Sequence, residues 1–459
     1  MKQIILLTVS LLLAYSAFSQ DIAGSWYGAL TVGNRLPLVI KISEKDGGYS
    51  ATLDSPAQGA KGIPISTVNF ENGKLTFSVA IAGIEYEGVL QNDSITGTFK
   101  QNGLSLPLSL SRTPTTEESL APPARSQDPK PPFPYRSEEV KFENKAAGIT
   151  LAGTLTLPQE GNIFPIAVLV TGSGPQNRNE ELFGHKPFLV LSDYLTRNGI
   201  AVLRYDDRGV GESGGKYETA TLDDFASDAA AAVNYLKTRK EINSKKIGII
   251  GHSYGGTIAF MLAGEKNSDI AYIVSMAGPA IPGDSLIRLQ SDLIFRKAGA
   301  TDAQRAESEK GFTKIDSIIR NCSDEAILKN MDKILDDLLS DSVRGDERYR
   351  ANTRQVIRQM MGSETKSILN SNPAEALTKT KCPVLALNGE NDLQVPADIN
   401  LDRIKALVKG KVTTKKYPGL NHLFQHCTTG LPTEYGNIDE TMSPEVLNDI
   451  ATWIRQVTR

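Results

Sequence analysis

The chain has 459 residues, 40% apolar and 22% charged, an ordinary globular composition with length for two or three units. Its 50 basic and 53 acidic residues leave a net charge of −3. No basic field is available to hold a phosphate backbone, so nucleic acid is not an expected partner.

The first residues read as an address and not as fold. Lys2 precedes an apolar run over 4–14, and Ala17-Phe18-Ser19 forms a small-x-small cleavage site. This is the pattern of a secretory signal peptide over 1–19, cut near Ser19 or Gln20, and it predicts an exported protein, periplasmic or secreted. The run is too short to span about 30 Å of hydrocarbon. No cysteine near the site offers a lipid anchor, and no later stretch is apolar enough for stable membrane insertion. Three cysteines, Cys322, Cys382 and Cys427, do not make a disulfide framework, though one bridge of undetermined pairing is open. None of the four histidines stands in a zinc-type spacing, and no metal or cofactor is expected.

Residues 20–112 read as an all-β domain. Leu36, Leu38, Ile40 and Ile42 alternate with other residues, as do Leu75, Phe77 and Val79, and Leu104, Leu106, Leu108 and Leu110. Period-two alternation gives a strand one buried and one exposed face. Turns are expected at Asp46-Gly47-Gly48, Asn72-Gly73, Asn92-Asp93 and Asn102-Gly103. About eight short strands of this kind suit a small up-and-down barrel, lipocalin-like in its opening Gly24-Ser25-Trp26, or a sandwich. Trp26 reads best as a core plug. Residues 113–136 hold seven prolines, including Pro122-Pro123 and Pro131-Pro132, and read as an extended linker.

From 137 to 459 the pattern becomes α/β. Short apolar runs at 166–170, 200–203, 247–250, 270–276 and 384–387 alternate with helical stretches at 188–198 and 222–239. Continuous apolarity suits strands buried on both faces of a parallel sheet. Residues from about 280 to 370 break the rhythm with helical spacing and no strand run. They read as a helical insertion, either a cap over a site or a bundle beside the sheet.

Gly251-His252-Ser253-Tyr254-Gly255 matches Gly-x-Ser-x-Gly between a strand at 246–250 and a helix at 256–263. That strand–turn–helix setting is what a nucleophile elbow needs, and its tightness requires glycines beside the serine. A serine hydroxyl needs an adjacent base. Of His185, His252, His422 and His426, chain order after the serine leaves the last two. His422 is the better placed, on the loop after a strand at 412–417. His252 adjoins the serine and points away, so it shapes the site. The acid that orients the base belongs on a loop after a strand, and Asp392 after 383–387 fits, with Glu390 as competitor. The oxyanion donors are expected to be the Tyr254 N–H and the Ser173 N–H, with Gly174 as the alternative to Ser173. Residues 176–181 are candidates for shaping the way in for substrate. Residues 204–211 read as an internally paired turn.

Residues from about 138 to 459 resemble the α/β-hydrolase esterases of the EstD type, bacterial enzymes with an extra domain ahead of the catalytic one. The resemblance rests on Gly172-Ser173-Gly174-Pro175, Phe183-Gly184-His185-Lys186-Pro187-Phe188, 204–213, the Ser253 elbow, 389–396 and Asn421-His422-Leu423-Phe424-Gln425. It implies a carboxylic ester hydrolase with a Ser-Asp-His triad, no metal, and short-chain esters as small-molecule substrates. Broader relatives include serine aminopeptidases and acyl-thioester hydrolases, so a serine exopeptidase is the rival reading, with Glu180, Glu181 and Glu212 as candidates to hold a free amine. A non-catalytic binding protein is the more distant one. Thr171 departs from the histidine that many α/β hydrolases carry before the glycine. Oligomeric state is left open.

Overall fold

A computed structural model describes residues 22–32, 34–45, 47–56, 60–79, 83–101, 104–113, 125–341 and 343–459. The signal-peptide segment, Asp46, Asn102-Gly103 and Pro122-Pro123 lie outside the described residues. Apart from the short segment 56–60, the chain divides into two compact units, residues up to 117 and residues from 118 onward.

Among the described residues the first unit is a single antiparallel sheet of nine strands: β1 (Gly24–Val32), β2 (Asn34–Lys45), β3 (Gly48–Ser55), β4 (Ala60–Pro64), β5 (Thr67–Glu71), β6 (Lys74–Val79), β7 (Ile84–Gln91), β8 (Ser94–Gln101) and β9 (Leu104–Ser111). Their spatial order is β4-β3-β2-β1-β9-β8-β7-β6-β5, so the first and last strands of the meander pair at its centre. Between the two ends, Ile65 N–H donates to Ala51 in β3 and Ser66 N–H to Ser78 in β6, at 3.0 and 2.7 Å, which curls the sheet around one core. The alternating residues expected to face inward do so where described: Leu38, Ile40, Ile42, Leu75, Phe77, Val79, Leu108 and Leu110 are buried. Trp26 is the core plug, 1% exposed, with Nε1 bonded to the Ile22 carbonyl at 2.8 Å.

The second unit is built on eight strands: β10 (Tyr135–Asn144), β11 (Ile149–Pro158), β12 (Phe164–Val170), β13 (Ala201–Tyr205), β14 (Ile242–His252), β15 (Ile273–Met276), β16 (Val384–Gly389) and β17 (Val412–Tyr417). The order is β10-β11-β13-β12-β14-β15-β16-β17, antiparallel at its first two pairings and parallel from β13 onward. Sequential strands joined by helices, with β12 and β13 exchanged, make this an α/β-hydrolase sheet. Its continuous apolar runs serve two cores at once. Ile166, Val168 and Val170 point to one face and Ala167 and Leu169 to the other. Helices α1 (Pro187–Arg197) and α12 (Pro444–Val457) cover the second face; α2 (Leu222–Leu236), α3 (Tyr254–Ala263) and α11 (Ala397–Leu407) cover the first.

Between β15 and β16 the chain inserts seven helices: α4 (Gly283–Lys297), α5 (Asp302–Asn321), α6 (Asp324–Lys329), α7 (Met331–Leu338), α8 (Glu347–Met360), α9 (Ser363–Asn370) and α10 (Ala374–Lys379). The insertion has its own core around Ile319, Ile327, Leu335 and Ile357. It acts as a cap, because Leu286 of α4 and Ile368 of α9 pack with Tyr254 and Val395 at the carboxyl end of the sheet. Residues 125–134, from the proline-rich stretch, are strapped onto this unit. Buried Arg125 donates to the carbonyls of Phe183, Gly436 and Ile438 at 2.8–2.9 Å. No helix among the described residues is long and apolar enough to cross a membrane.

Candidate active site

Four loops leave the carboxyl ends of β12, β14, β16 and β17, and the sequence-predicted residues lie on them. This edge is where ligands bind in parallel α/β sheets. The β14 loop is the elbow. Ser253 sits at φ 52° and ψ −125°, in backbone space that a non-glycine residue holds only when its surroundings force it. The force comes from packing. A Cβ on Gly251 would lie 2.1 Å from the Gly255 carbonyl oxygen, and one on Gly255 would lie 2.1 Å from that of Val170. With no room beside it, the turn pinches the serine outward at the start of α3. The helix runs from Tyr254, two residues earlier than the sequence suggests.

Asp392 and His422 meet. His422 Nδ1 lies 2.7 Å from Asp392 Oδ2, with both side chains almost wholly buried. Asp392 Oδ1 takes the N–H groups of Gln394 and Val395 at 2.8 Å each, so the carboxylate is aimed by its own loop. Glu390 is exposed and stands away from the histidine contact. The side chain of Asn421 fixes the loop of His422: its oxygen accepts from Leu423 and Gln425 N–H groups at 3.0 Å each. His426 is exposed and bonded to Glu440, and His185 is buried between Thr441 and the Tyr435 carbonyl. Neither reaches the site.

The β12 loop brings the candidate oxyanion donors. A Cβ on Gly172 would lie 3.1 Å from the Ser253 Cβ, which sets this loop directly against the serine. The Gly172 N–H donates to Glu180 Oε1 at 2.9 Å, and the Gly174 N–H to Glu364 of the cap at 3.1 and 3.3 Å. Ser173, between them, donates no main-chain hydrogen bond among the described residues, and neither does Tyr254 at the first turn of α3.

The loop is held from below by the β13 turn; the internal pairing expected of 204–211 gives way to side chains that pair outward with other segments. Asp206 takes the Arg178 N–H at 2.8 Å and its guanidinium at 2.7 Å. Asp207 takes the Thr171 hydroxyl at 2.9 Å and the Gln176 N–H at 3.0 Å. Burial pushes Asp207 well above the usual carboxylate range, against the pull of those two donors, and the charges of Glu180 and Glu364 add to the rise. Glu364 is raised in the same way, by burial, with Tyr217 hydroxyl and Gly174 N–H bonds opposing.

Sequence reasoning missed the placement of Glu180 and Glu364. Glu180 stands 72 positions from His252 and Glu364 stands 190 from Gly174, so no local spacing signals either. Among the described residues no group of three or more His, Cys, Asp or Glu side chains could hold a metal ion, and all three cysteines are free thiols.

Comparison with known proteins gives a family match and several partial relatives. Hydrolase_4, described as serine aminopeptidase S33, matches residues 187–426. Esterase EstD of Thermotoga maritima is 33% identical over 153 residues, 32% of this chain and 35% of that protein. The chain thus matches about a third of the length of that relative. A bifunctional esterase/perhydrolase of Acinetobacter calcoaceticus is 26% identical over 55% of this chain and 83% of the relative. The structure of Est1E from Butyrivibrio proteoclasticus with ferulic acid bound aligns at a TM-score of 0.43, 18% identity, 70% of this chain and 97% of the other.

Proposed function

The chain belongs to the Hydrolase_4 family of α/β hydrolases, and from that premise we propose that it is a serine hydrolase of small carboxylic esters, with short acyl chains preferred. The observation that carries the reading is the His422–Asp392 contact at 2.7 Å on the loops beside a strained Ser253 elbow. Asp392 accepts the Nδ1 proton, which leaves Nε2 of His422 as the basic nitrogen. Ser253 Oγ attacks the ester carbonyl as His422 takes its proton. The negative charge that develops on the carbonyl oxygen is met by the Tyr254 and Ser173 N–H groups. Collapse expels the alcohol, which takes the proton from His422, and leaves an acyl-serine. Water, deprotonated by the same histidine, then releases the acid and restores the serine.

The family description favours one rival, an exopeptidase. A free α-amine needs an accessible carboxylate. Glu180 is buried and already bonded to Gly172 and His252, Glu181 is half-buried and takes the Asn177 amide at 3.3 Å, and Glu212 is exposed and paired with Lys141 at 3.5 Å. The two sequence relatives above are named as an esterase and a bifunctional esterase/perhydrolase, which supports the ester reading. Export, inferred from the apolar run and cleavage pattern of 1–19, fits a hydrolase of external esters.

The test is hydrolysis of p-nitrophenyl acetate, butyrate and octanoate beside a panel of aminoacyl anilides. Ester turnover that falls with chain length, with little anilide cleavage, is expected. Efficient anilide cleavage without ester turnover would transfer the assignment to the peptidase.

A further inference from the structure

His252 and Glu180 stand outside the triad, and both are buried, 6% and 3% exposed. Both ring nitrogens of His252 face oxygen. Nδ1 lies 2.9 Å from Glu180 Oε1, and Nε2 lies 3.1 Å from the main-chain oxygen of His422. A carbonyl oxygen cannot donate, so Nε2 must carry a proton. Glu180 Oε1 also accepts the Gly172 N–H at 2.9 Å, the behaviour of a carboxylate receiving two N–H bonds. A carboxylate facing Nδ1 puts a proton there too. The geometry therefore describes an imidazolium, whereas His185, between a hydroxyl and a carbonyl, needs only one ring proton.

The pair ties together three segments distant in sequence: the β12 loop through Gly172, the elbow through His252 itself, and the β17 loop through the carbonyl of His422. The His252 and His422 rings are 4.8 Å apart. Glu180 is held at φ 51°, in the left-handed region. That backbone is kept only because the surrounding contacts hold it, as at Ser253 of the elbow.

We propose that Glu180 and His252 are positioning residues for acyl transfer, Glu180 holding His252 as a doubly protonated cation that fixes the base loop and the oxyanion loop against the nucleophile. This rests on the ester-hydrolase reading. The titratable groups facing the pair are the His422 ring, Asp392 behind it on the β16 loop, and Asp207, near Glu180 on the β13 loop, whose carboxyl burial holds well above the usual range. Burial alone would lower the basicity of His252, but the charge and hydrogen bond of Glu180, the His422 carbonyl and Asp392 together raise it. When His422 takes the serine proton, two cationic rings lie side by side, each backed by its own carboxylate. Glu180→Gln would keep an oxygen for both N–H bonds but remove the charge. His252 would then hold one proton: either Nε2 faces the His422 carbonyl bare, or the amide turns its NH2 toward Nδ1 and the Gly172 N–H loses its acceptor.

The chain has four histidines, so 15N-histidine labelling with long-range 15N–1H spectra resolves each ring. In the full-length wild type at pH 7.5, above the ordinary imidazole value of 6.5, one imidazole is expected to remain doubly protonated. His252→Gln removes that signal and Glu180→Gln converts it to a neutral ring. With p-nitrophenyl butyrate, Glu180→Gln is expected to lower kcat by roughly 10- to 100-fold, the scale of losing support for an oxyanion donor, with KM little changed. Four neutral rings in folded wild type at pH 7.5 would overturn the proposal, as would unchanged kcat in Glu180→Gln. Wild type that shows the cation but turns over no ester would count against the ester-hydrolase reading and leave the ion pair standing.

Discussion

Histidines set the chemistry of this molecule through what each ring nitrogen touches. His422 faces a carboxylate at Nδ1, which fits it for general-base work. His185 is fully buried, with one nitrogen toward the hydroxyl of Thr441 and the other toward the Tyr435 carbonyl. Burial drives it down to about 4 from an ordinary 6.5, and the bond to Tyr435 only partly opposes this. The folded protein therefore refuses a proton that the unfolded chain accepts below 6.5. Stability should fall as pH drops from 6.5 to about 4, by up to about 3 kcal/mol from this group. Thermal unfolding of wild type and His185→Gln at pH 7 and pH 4.5 checks it. The variant should lose less on acidification; equal losses would contradict the assignment.

At the scale of elements, the site depends on loops being held by side chains from elsewhere. The β12 loop hangs on Asp206, Asp207 and Glu180, and its Gly174 N–H is taken by cap helix α9. The strap at 125–134 is a second example. The stretch 113–136 reads as linker because proline-rich sequence has no apolar period, yet from Arg125 it docks through main-chain carbonyls that leave no pattern in sequence. Arg125→Ala would strip the donor from all three. A buried acceptor left without a partner costs about 1–3 kcal/mol, so a loss of about 2 kcal/mol or more in chemical denaturation is expected. A loss below about 0.5 kcal/mol, the range of an ordinary surface change, would contradict a docked strap. The sequence reading also named no element at β10, β11, α11 or α12. β10 is an edge strand carrying Glu138, Glu139, Lys141 and Glu143, and its charges mask the alternation of buried Val140 and Phe142.

For the whole molecule, the legible parts were those whose physics is local. Strands buried on both faces are continuously apolar, so the central sheet could be read directly, and Trp26 and the alternating leucines did the same for the curled β unit. Ser253 and Asp392 each follow such a strand within a short loop, and His422 follows the polar edge strand β17, where chain order after the serine singled it out. The count of nine strands against about eight, and the roles of Glu180 and Glu364, required the tertiary structure. The central claim is that Ser253 is a nucleophile activated by His422 and Asp392. The direct measurement is the intact mass and peptide map of the protein after exposure to a fluorophosphonate, in which an activated serine displaces fluoride to form a stable phosphonyl ester. A single adduct on the peptide carrying Ser253, absent in Ser253→Ala and strongly slowed in His422→Ala, is expected. A folded wild type that stays unlabelled, or one labelled on another serine regardless of these substitutions, would contradict it.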